Sequence, residues 1–297
     1  MALPAVLLTP LFDLVGQMAD PAFYVGKTTH DFALVRMVVS LLFLNESWFL
    51  SIMMFSNVPY WSLGYEMAYY LLFAAVFFLR GRQRVVCMVA LALVAGPKVL
   101  LLAPIWALGV LLYRRPYERL GETAGWALFL GSLVLLYAFE SQHVTDRCSD
   151  WLKSLIGAQW HRQMTFSKFF IGDYLFGAIV YMNFAGFRRI AHRFARPVTI
   201  VERPVRWLAG YTLTLYVFHQ PLLQMFAALI HGDPRAGHAY YFQVIACTLA
   251  AVGVIGAVTE HRRQGLRRWL HGALARLAAT AWWRERLLPR LMPAVPR

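Results

Sequence analysis

Charge is scarce in this 297-residue chain, and cysteine is scarcer. Asp, Glu, Lys and Arg together supply only 15% of the residues against 59% hydrophobic, and the mean hydropathy is +0.51. Soluble domains carry about 25% charged residues, so this composition excludes the soluble class and indicates a membrane protein. Three cysteines exclude a disulfide scaffold. Cys87 and Cys247 lie inside apolar runs, as small core residues do, and Cys148 lies in a polar loop without an evident partner. No Pro/Gly/Ser linker, low-complexity tract or internal repeat divides the chain. It therefore reads as one membrane domain, residues 1–259, followed by a basic tail, 260–297.

Acidic residues are also few: 15 Asp and Glu against 29 Lys and Arg leave a net charge of +14. Such a charge would suit nucleic acid, but its placement excludes that partner. Of the 29 basic residues, 21 fall in four places: the loop with Arg80, Arg82 and Arg84; the loop with Arg114, Arg115 and Arg119; residues 188–206; and the tail after Thr259. These four regions share one side if each apolar run crosses once. The excess of Arg and Lys in short loops marks that side as the cytoplasm, so the C-terminus is expected to be cytoplasmic. The tail mixes Arg with Leu and Trp, which suits either an interfacial helix along anionic lipid or a solvated basic segment.

What is present is a series of apolar runs: Met1–Val15, Val35–Phe55, Trp61–Leu79, Val85–Gly96, Val99–Tyr113, Ala124–Phe139, Phe166–Phe187, Trp207–Ile230 and Ala239–Thr259. A bilayer core about 30 Å thick needs roughly 20 helical residues. Arg36, Asn45 and Glu46 interrupt Val35–Phe55, which is expected to be re-entrant or interfacial. The other eight are expected to span, with Pro97 and Lys98 as a hairpin tip and residues 140–165 as an outer loop. The expected fold is an all-α polytopic integral membrane helical bundle, of about eight spans plus that segment.

Two polar clusters stand out against the apolar background. In "NVPYWSLGYEMAYYLLF", residues 57–73, Glu66 is followed by thirteen uncharged residues. Helical spacing puts Ser62, Glu66, Tyr69, Tyr70 and Phe73 on one face. A carboxylate inside a span is costly unless it is paired, neutral or facing water, which makes it a functional-site candidate or a bundle-holding ion pair. In "WLAGYTLTLYVFHQPLL", residues 207–223, Thr212, Tyr216, His219 and Gln220 share a face. His219 is the thirteenth residue of the 24-residue run Trp207–Ile230, near its middle. A neutral histidine can serve as a general base near pH 7, or as a hydrogen-bonding member of the bundle. Pro221 should kink its helix around Val217. Asp173 in "FFIGDYLFG" is a third intramembrane acid, read as a packing or pairing residue.

These clusters resemble a known family. "NVPYWSLGYEMAYYLLF" is similar to the Trp-Ser-Leu-x-x-Glu-x-x-Tyr-Tyr signature of the acyltransferase family 3 integral membrane proteins. "LAGYTLTLYVFHQPLL" looks like that family's late Gly-x-x-Ser-x-x-Leu-Tyr-x-x-His-x-Pro segment, with Thr212 at the usual serine. The resemblance covers roughly residues 1–270. It implies transfer of an acyl group, usually acetyl, from a thioester donor such as acetyl-CoA. The acceptor would be a hydroxyl of a carbohydrate or other envelope molecule, and the setting a bacterial inner membrane. No bound cofactor and no metal are implied. The expected catalytic residues are Glu66 and His219, with Trp61, Ser62, Tyr69, Tyr70 and Tyr216 at the substrate. Arg80, Arg82 and Arg84 would meet the donor phosphates, although the positive-inside rule alone accounts for them.

The start departs from the family pattern. Members open with two further helices that carry an arginine and, about eleven residues on, a histidine; no such pair precedes Glu66, and His30 does not match it. The expectation is an N-terminally truncated chain of impaired activity. Two rival readings are a transporter or flippase using Glu66, Asp173 and His219 as a proton relay, and a non-catalytic remnant of the family. Inverted repeats would favour the transporter, and the sequence has none.

Overall fold

A computed structural model describes residues 1–114, 120–230, 232, 238–259, 268, 272 and 276. The basic loop at Arg115 and Arg119 and nearly all of the tail lie outside the described residues. Within them the chain is all-α: no β-strand forms, and twelve α-helices follow one another. Six segments are long and apolar enough to cross a membrane: Ala2–Ala19, Val58–Phe78, Pro97–Arg114, Glu122–Ser141, Thr165–Phe194 and Ala239–Thr259. The protein is a polytopic helical membrane protein. Two of the eight expected spans fall outside this set. Helix α5, Gly81–Ala95, has only 15 residues, and α11, Thr212–Leu229, carries His219, Gln220 and Gln224 in its 18.

The chain divides into two compact units. Unit 1 joins residues 1–45, 52–91 and everything from Arg206 onward. Its helix α1, Ala2–Ala19, packs on α11, which in turn packs on α12, Ala239–Thr259. The core is built from Ala5 and Val6 of α1, Met54 and Phe55, Tyr60 and Leu63, and Val217, Phe218 and Leu222 of α11. Helix α1 buries a polar stripe: Thr9 and Asp13, at helical spacing with Ala5, are fully buried. Between the short helices α2 (Pro21–Tyr24) and α3 (Ala33–Leu41) and the long α4 (Trp61–Phe78), the chain runs largely without regular structure from Leu42 to Asn57. The segment expected to be re-entrant or interfacial, Val35–Phe55, is thus helical over its first seven residues and largely irregular beyond them.

Irregular backbone away from water needs protein partners for its polar groups, and within unit 1 several side chains tie this segment down. The Asp13 carboxylate accepts from Ser56 N–H at 3.1 Å, Ser56 Oγ at 2.5 Å and Thr28 Oγ1 at 3.1 Å. Arg36 donates to the Met53 carbonyl at 2.9 Å, and Tyr60 Oη to the Ser40 carbonyl at 3.1 Å. Gly64 lets the segment come close: a Cβ there would lie 3.1 Å from Asn45 Oδ1 and 3.2 Å from the Phe43 carbonyl.

Unit 2 holds residues 46–51 and 92–205. Its centre is the pairing of α7 (Glu122–Ser141) with α9 (Phe170–Ile190). Small residues bring the two backbones together: a Cβ on Gly186 would sit 2.5 Å from the Phe129 nitrogen and 2.7 Å from the Gly125 carbonyl. Close approach through glycine, with polar side chains as glue, replaces the hydrophobic drive that lipid cannot give. Here the glue is Asn183 Nδ2 donating to Ser132 Oγ at 2.9 Å. Helix α6, Pro97–Arg114, joins α9 through Tyr174 Oη, which donates to the Leu101 carbonyl.

Three sequence expectations are corrected. Residues 140–165 are not an outer loop: Val144–Gln163 form α8, which contains Cys148 and bends sharply at Gly157 (φ 81°). Charge and poor hydropathy hid a helix that is not among the segments long and apolar enough to span. Residues 188–206 are not a loop either, since Ala195–Ala209 form α10. The run Trp207–Ile230 is therefore not one span: it breaks at Gly210 and Tyr211, and His219 is the eighth residue of α11. Pro97 and Lys98 do follow a tight turn, at Gly96 (φ 82°), as a hairpin tip requires, and Lys98 is buried there (2% exposed).

Candidate functional site

Both motif segments lie in unit 1. A 3-10 turn, Val58–Tyr60, leads into α4, so Ser62 stands at its second residue. Tyr216 stands in the second turn of α11. Their hydroxyls meet at 2.5 Å, and each also lies within reach of the Pro59 carbonyl, Tyr216 Oη at 3.2 Å and Ser62 Oγ at 3.3 Å. Two hydroxyl protons thus serve three oxygens. Residues 154 positions apart in sequence are held as one polar corner.

A second link explains how α11 is set against that corner. Pro221 has no N–H, so the carbonyl of Val217, four residues back, loses its helical donor. Asn57 Nδ2 supplies the replacement at 2.8 Å, and lies 3.3 Å from Thr9 Oγ1 on its other side. The expected kink site at Val217 is thus the point where the irregular segment grips the helix. The Asn57 Oδ1 has no partner among the described residues, and neither does Tyr24 Oη, Ser40 Oγ or Gln224 Oε1.

His219 is half-buried, and its Nδ1 lies 2.8 Å from the Tyr216 carbonyl and 3.2 Å from that of Leu215. Both neighbours are acceptors, so the Nδ1 is the donor, and the neutral imidazole with that tautomer presents the Nε2 lone pair. That is the tautomer a general base requires. Glu66, one turn beyond Ser62, is exposed and has no hydrogen-bond partner among the described residues. Of its two readings, the bundle-holding ion pair has no partner among the described residues. The shared face of α4 also splits. Tyr69 is buried and turns with Trp61 and Tyr65 into an edge-to-face ladder (4.9 and 6.4 Å between centroids), while Ser62, Glu66, Tyr70 and Phe73 look outward or lie at its edge. Trp61 and Tyr69 therefore support the face from behind. Arg80 and Arg82 are exposed at the far end of α4, and Arg84 Nε donates to the Leu79 carbonyl at 2.8 Å. Asp173 is half-buried in unit 2, whereas Glu66 and His219 belong to unit 1.

Sequence reasoning passed over two buried polar systems. Asp13 interrupts an apolar run as Glu66 does, and the same rule could have found it. In unit 2, Lys98 Nζ donates to Glu46 Oε2 at 2.8 Å, to Thr165 Oγ1 at 3.0 Å and to the Leu50 carbonyl at 2.5 Å. Thr165 Oγ1 lies 3.1 Å from the same Oε2, and Ser51 Oγ donates to Oε1 at 2.8 Å. Both charged side chains are 1% exposed. An apolar pocket of about 380 Å³ adjoins them, with Phe49, Leu101 and Trp160 in its wall. The three protons of the ammonium are already committed, so this pocket offers a ligand no free cation. No group of His, Cys, Asp and Glu able to hold a metal occurs among the described residues. No protein-family model matches the chain, and no curated protein or solved structure matches it either.

Proposed function

We propose that the chain is a membrane-bound acyltransferase that moves an acetyl or similar acyl group from a CoA-type thioester to a hydroxyl of an envelope carbohydrate. The observation that carries the reading is the Ser62–Tyr216 hydrogen bond, which joins the two motif segments into one polar corner. In the proposed reaction the acceptor oxygen attacks the thioester carbonyl and gives its proton to His219 Nε2. The C–O bond forms, the C–S bond breaks, and the thiolate leaves with that proton. Glu66 accepts hydrogen bonds from the acceptor's hydroxyls, which gives an exposed carboxylate a partner that no described residue provides. One of the two hydroxyls, Ser62 or Tyr216, turns its proton from the Pro59 carbonyl to the developing oxyanion, while the other keeps the bond between them. Arg80, Arg82 and Arg84 take the donor phosphates. Arg80 is fourteen residues from Glu66, about 21 Å at 1.5 Å per residue, so the donor's pantetheine-type arm reaches along α4.

General base catalysis contributes about 10²–10⁴-fold in rate. Base-labile O-acetyl groups on envelope carbohydrate should therefore rise in cells making the chain and stay at background with His219→Asn or Glu66→Gln, both still inserted in the membrane. Equal O-acetyl content with the unaltered chain and with His219→Asn would overturn the proposal.

A further inference from the structure

The basic stretch that sequence reading leaves as a loop is a 15-residue amphipathic helix, α10, whose apolar side is covered by none of the described residues. At 100° per residue, Trp207, Ile200, Pro204, Leu208, Val201 and Val205 occupy an arc of about 160°. Glu202, Arg206, Thr199 and Arg203 fill the opposite arc of about 100°. The apolar members are far out of the protein: Ile200 is 81% exposed, Trp207 61%, Leu208 60%, Val205 54% and Val201 47%. In water such a face would be a liability.

Connectivity says what lies against it. Helix α9 belongs to a segment long and apolar enough to cross the membrane, and only the four-residue 3-10 turn Ala191–Phe194 separates it from α10. At about 2 Å rise per residue that tether spans about 8 Å. The headgroup zone is itself about 5–8 Å deep on each side of the hydrocarbon. At the other end Gly210 and Tyr211 alone lie between α10 and α11. A helix about 22 Å long, tethered this closely to α9, stays within reach of the interface.

We infer that α10 is an interfacial helix: its Ile200–Leu208 face lies on the acyl chains of the bilayer and Arg203 meets lipid headgroup phosphates. The geometry is that of monotopic amphipathic helices, apolar residues and Trp below and basic residues above.

The test uses the full chain with Cys87, Cys148 and Cys247 replaced, carrying single fluorescent labels at residue 200, 203 or 208, reconstituted into vesicles of phosphatidylcholine with and without phosphatidylglycerol. Labels at 200 and 208 should be quenched by doxyl-labelled lipid and shielded from aqueous iodide, and the label at 203 the reverse. Ile200→Asp, read with the label at 208, should cut the docked-to-undocked ratio at least tenfold, since burial of an Ile side chain is worth more than one decade. Arg203→Gln, read at 200, should cut it by up to about fivefold with phosphatidylglycerol, the weight of one basic residue near an anionic surface, and by less on phosphatidylcholine alone. Iodide reaching residue 200 as readily as residue 203 would overturn the inference. So would a label at 200 that neither quencher reaches, which would mean that protein, such as a second copy, covers the face. No effect of Arg203→Gln on either lipid would overturn the phosphate contact.

Discussion

Lys98→Met isolates one partner of the Glu46–Lys98 pair in unit 2. The variant keeps the volume and apolar stem of the lysine and deletes the ammonium. Glu46 is then left with two hydroxyl neighbours, Ser51 Oγ at 2.8 Å and Thr165 Oγ1 at 3.1 Å, and no cation. With both side chains 1% exposed, water cannot take the vacated place without opening the structure. Breaking a buried pair from one side costs about 3–5 kcal/mol. At 1.4 kcal/mol per decade, the folding equilibrium shifts by two to nearly four decades. Removing both ends, Glu46→Leu with Lys98→Met, abolishes the stranded charge and should lie nearer the unaltered protein than Lys98→Met alone, because apolar replacement of a buried pair is often neutral or better. The assay is SDS-driven unfolding in mixed micelles, followed by circular dichroism, on both single variants and the double. A cost below about 1 kcal/mol for Lys98→Met, or a double variant less stable than that single one, would refute the reasoning.

Asn57→Ala should cost about 1–3 kcal/mol by stranding the Val217 carbonyl, and Pro221→Ala in that background should recover part of it by returning a helical N–H; absence of recovery in the same unfolding assay counts against the link. Gly96→Ala should destabilise by more than about 2 kcal/mol, the left-handed φ alone costing about 1–2 and the new Cβ lying 2.6 Å from the Trp48 backbone; a neutral variant would show that the turn adjusts. His161, whose Nε2 lies 2.8 Å from Ser149 Oγ across the bend of α8, gives a pH dependence. Burial holds its imidazole below the ordinary value, with Lys168 and then Lys153 adding to the effect and Ser149 and Asp150 opposing it. The unfolded chain therefore takes up the proton first as pH falls. Its contribution is fully present above the ordinary value of about 6.5 and is lost as pH drops through that value toward the lower folded one. Hydrogen-exchange protection of residues 144–163, corrected for intrinsic rates, should decline over that window, and His161→Gln should flatten the profile.

The spans were legible because lipid imposes one simple demand, a long uncharged run, and the six crossing segments meet it. What stayed hidden follows no such rule. Helices α8 and α10 are polar enough to read as loops, and only their packing or their place beside a span makes them helices. In the candidate site, spacing alone put Ser62, Glu66 and Tyr70 on one face. It could not turn Tyr69 inward, which depends on the ring of Tyr65, nor give Glu66 a partner. Asn57 and Lys98 were invisible because their roles depend on groups 160 and 52 residues away.

The Asn57–Val217 bond bears on biosynthesis. Residue 57 leaves the ribosome long before residue 217, and unit 2 is translated mostly in between. Until α11 emerges, the core of unit 1 lacks Val217, Phe218 and Leu222, and the buried amide of Asn57 has only Thr9 for company. Unit 2 can therefore finish folding while unit 1 is still open. The first segments made are among the last secured, and a ribosome stalled before residue 217 would hold an N-terminal third that insertion-quality proteases should recognise as incomplete.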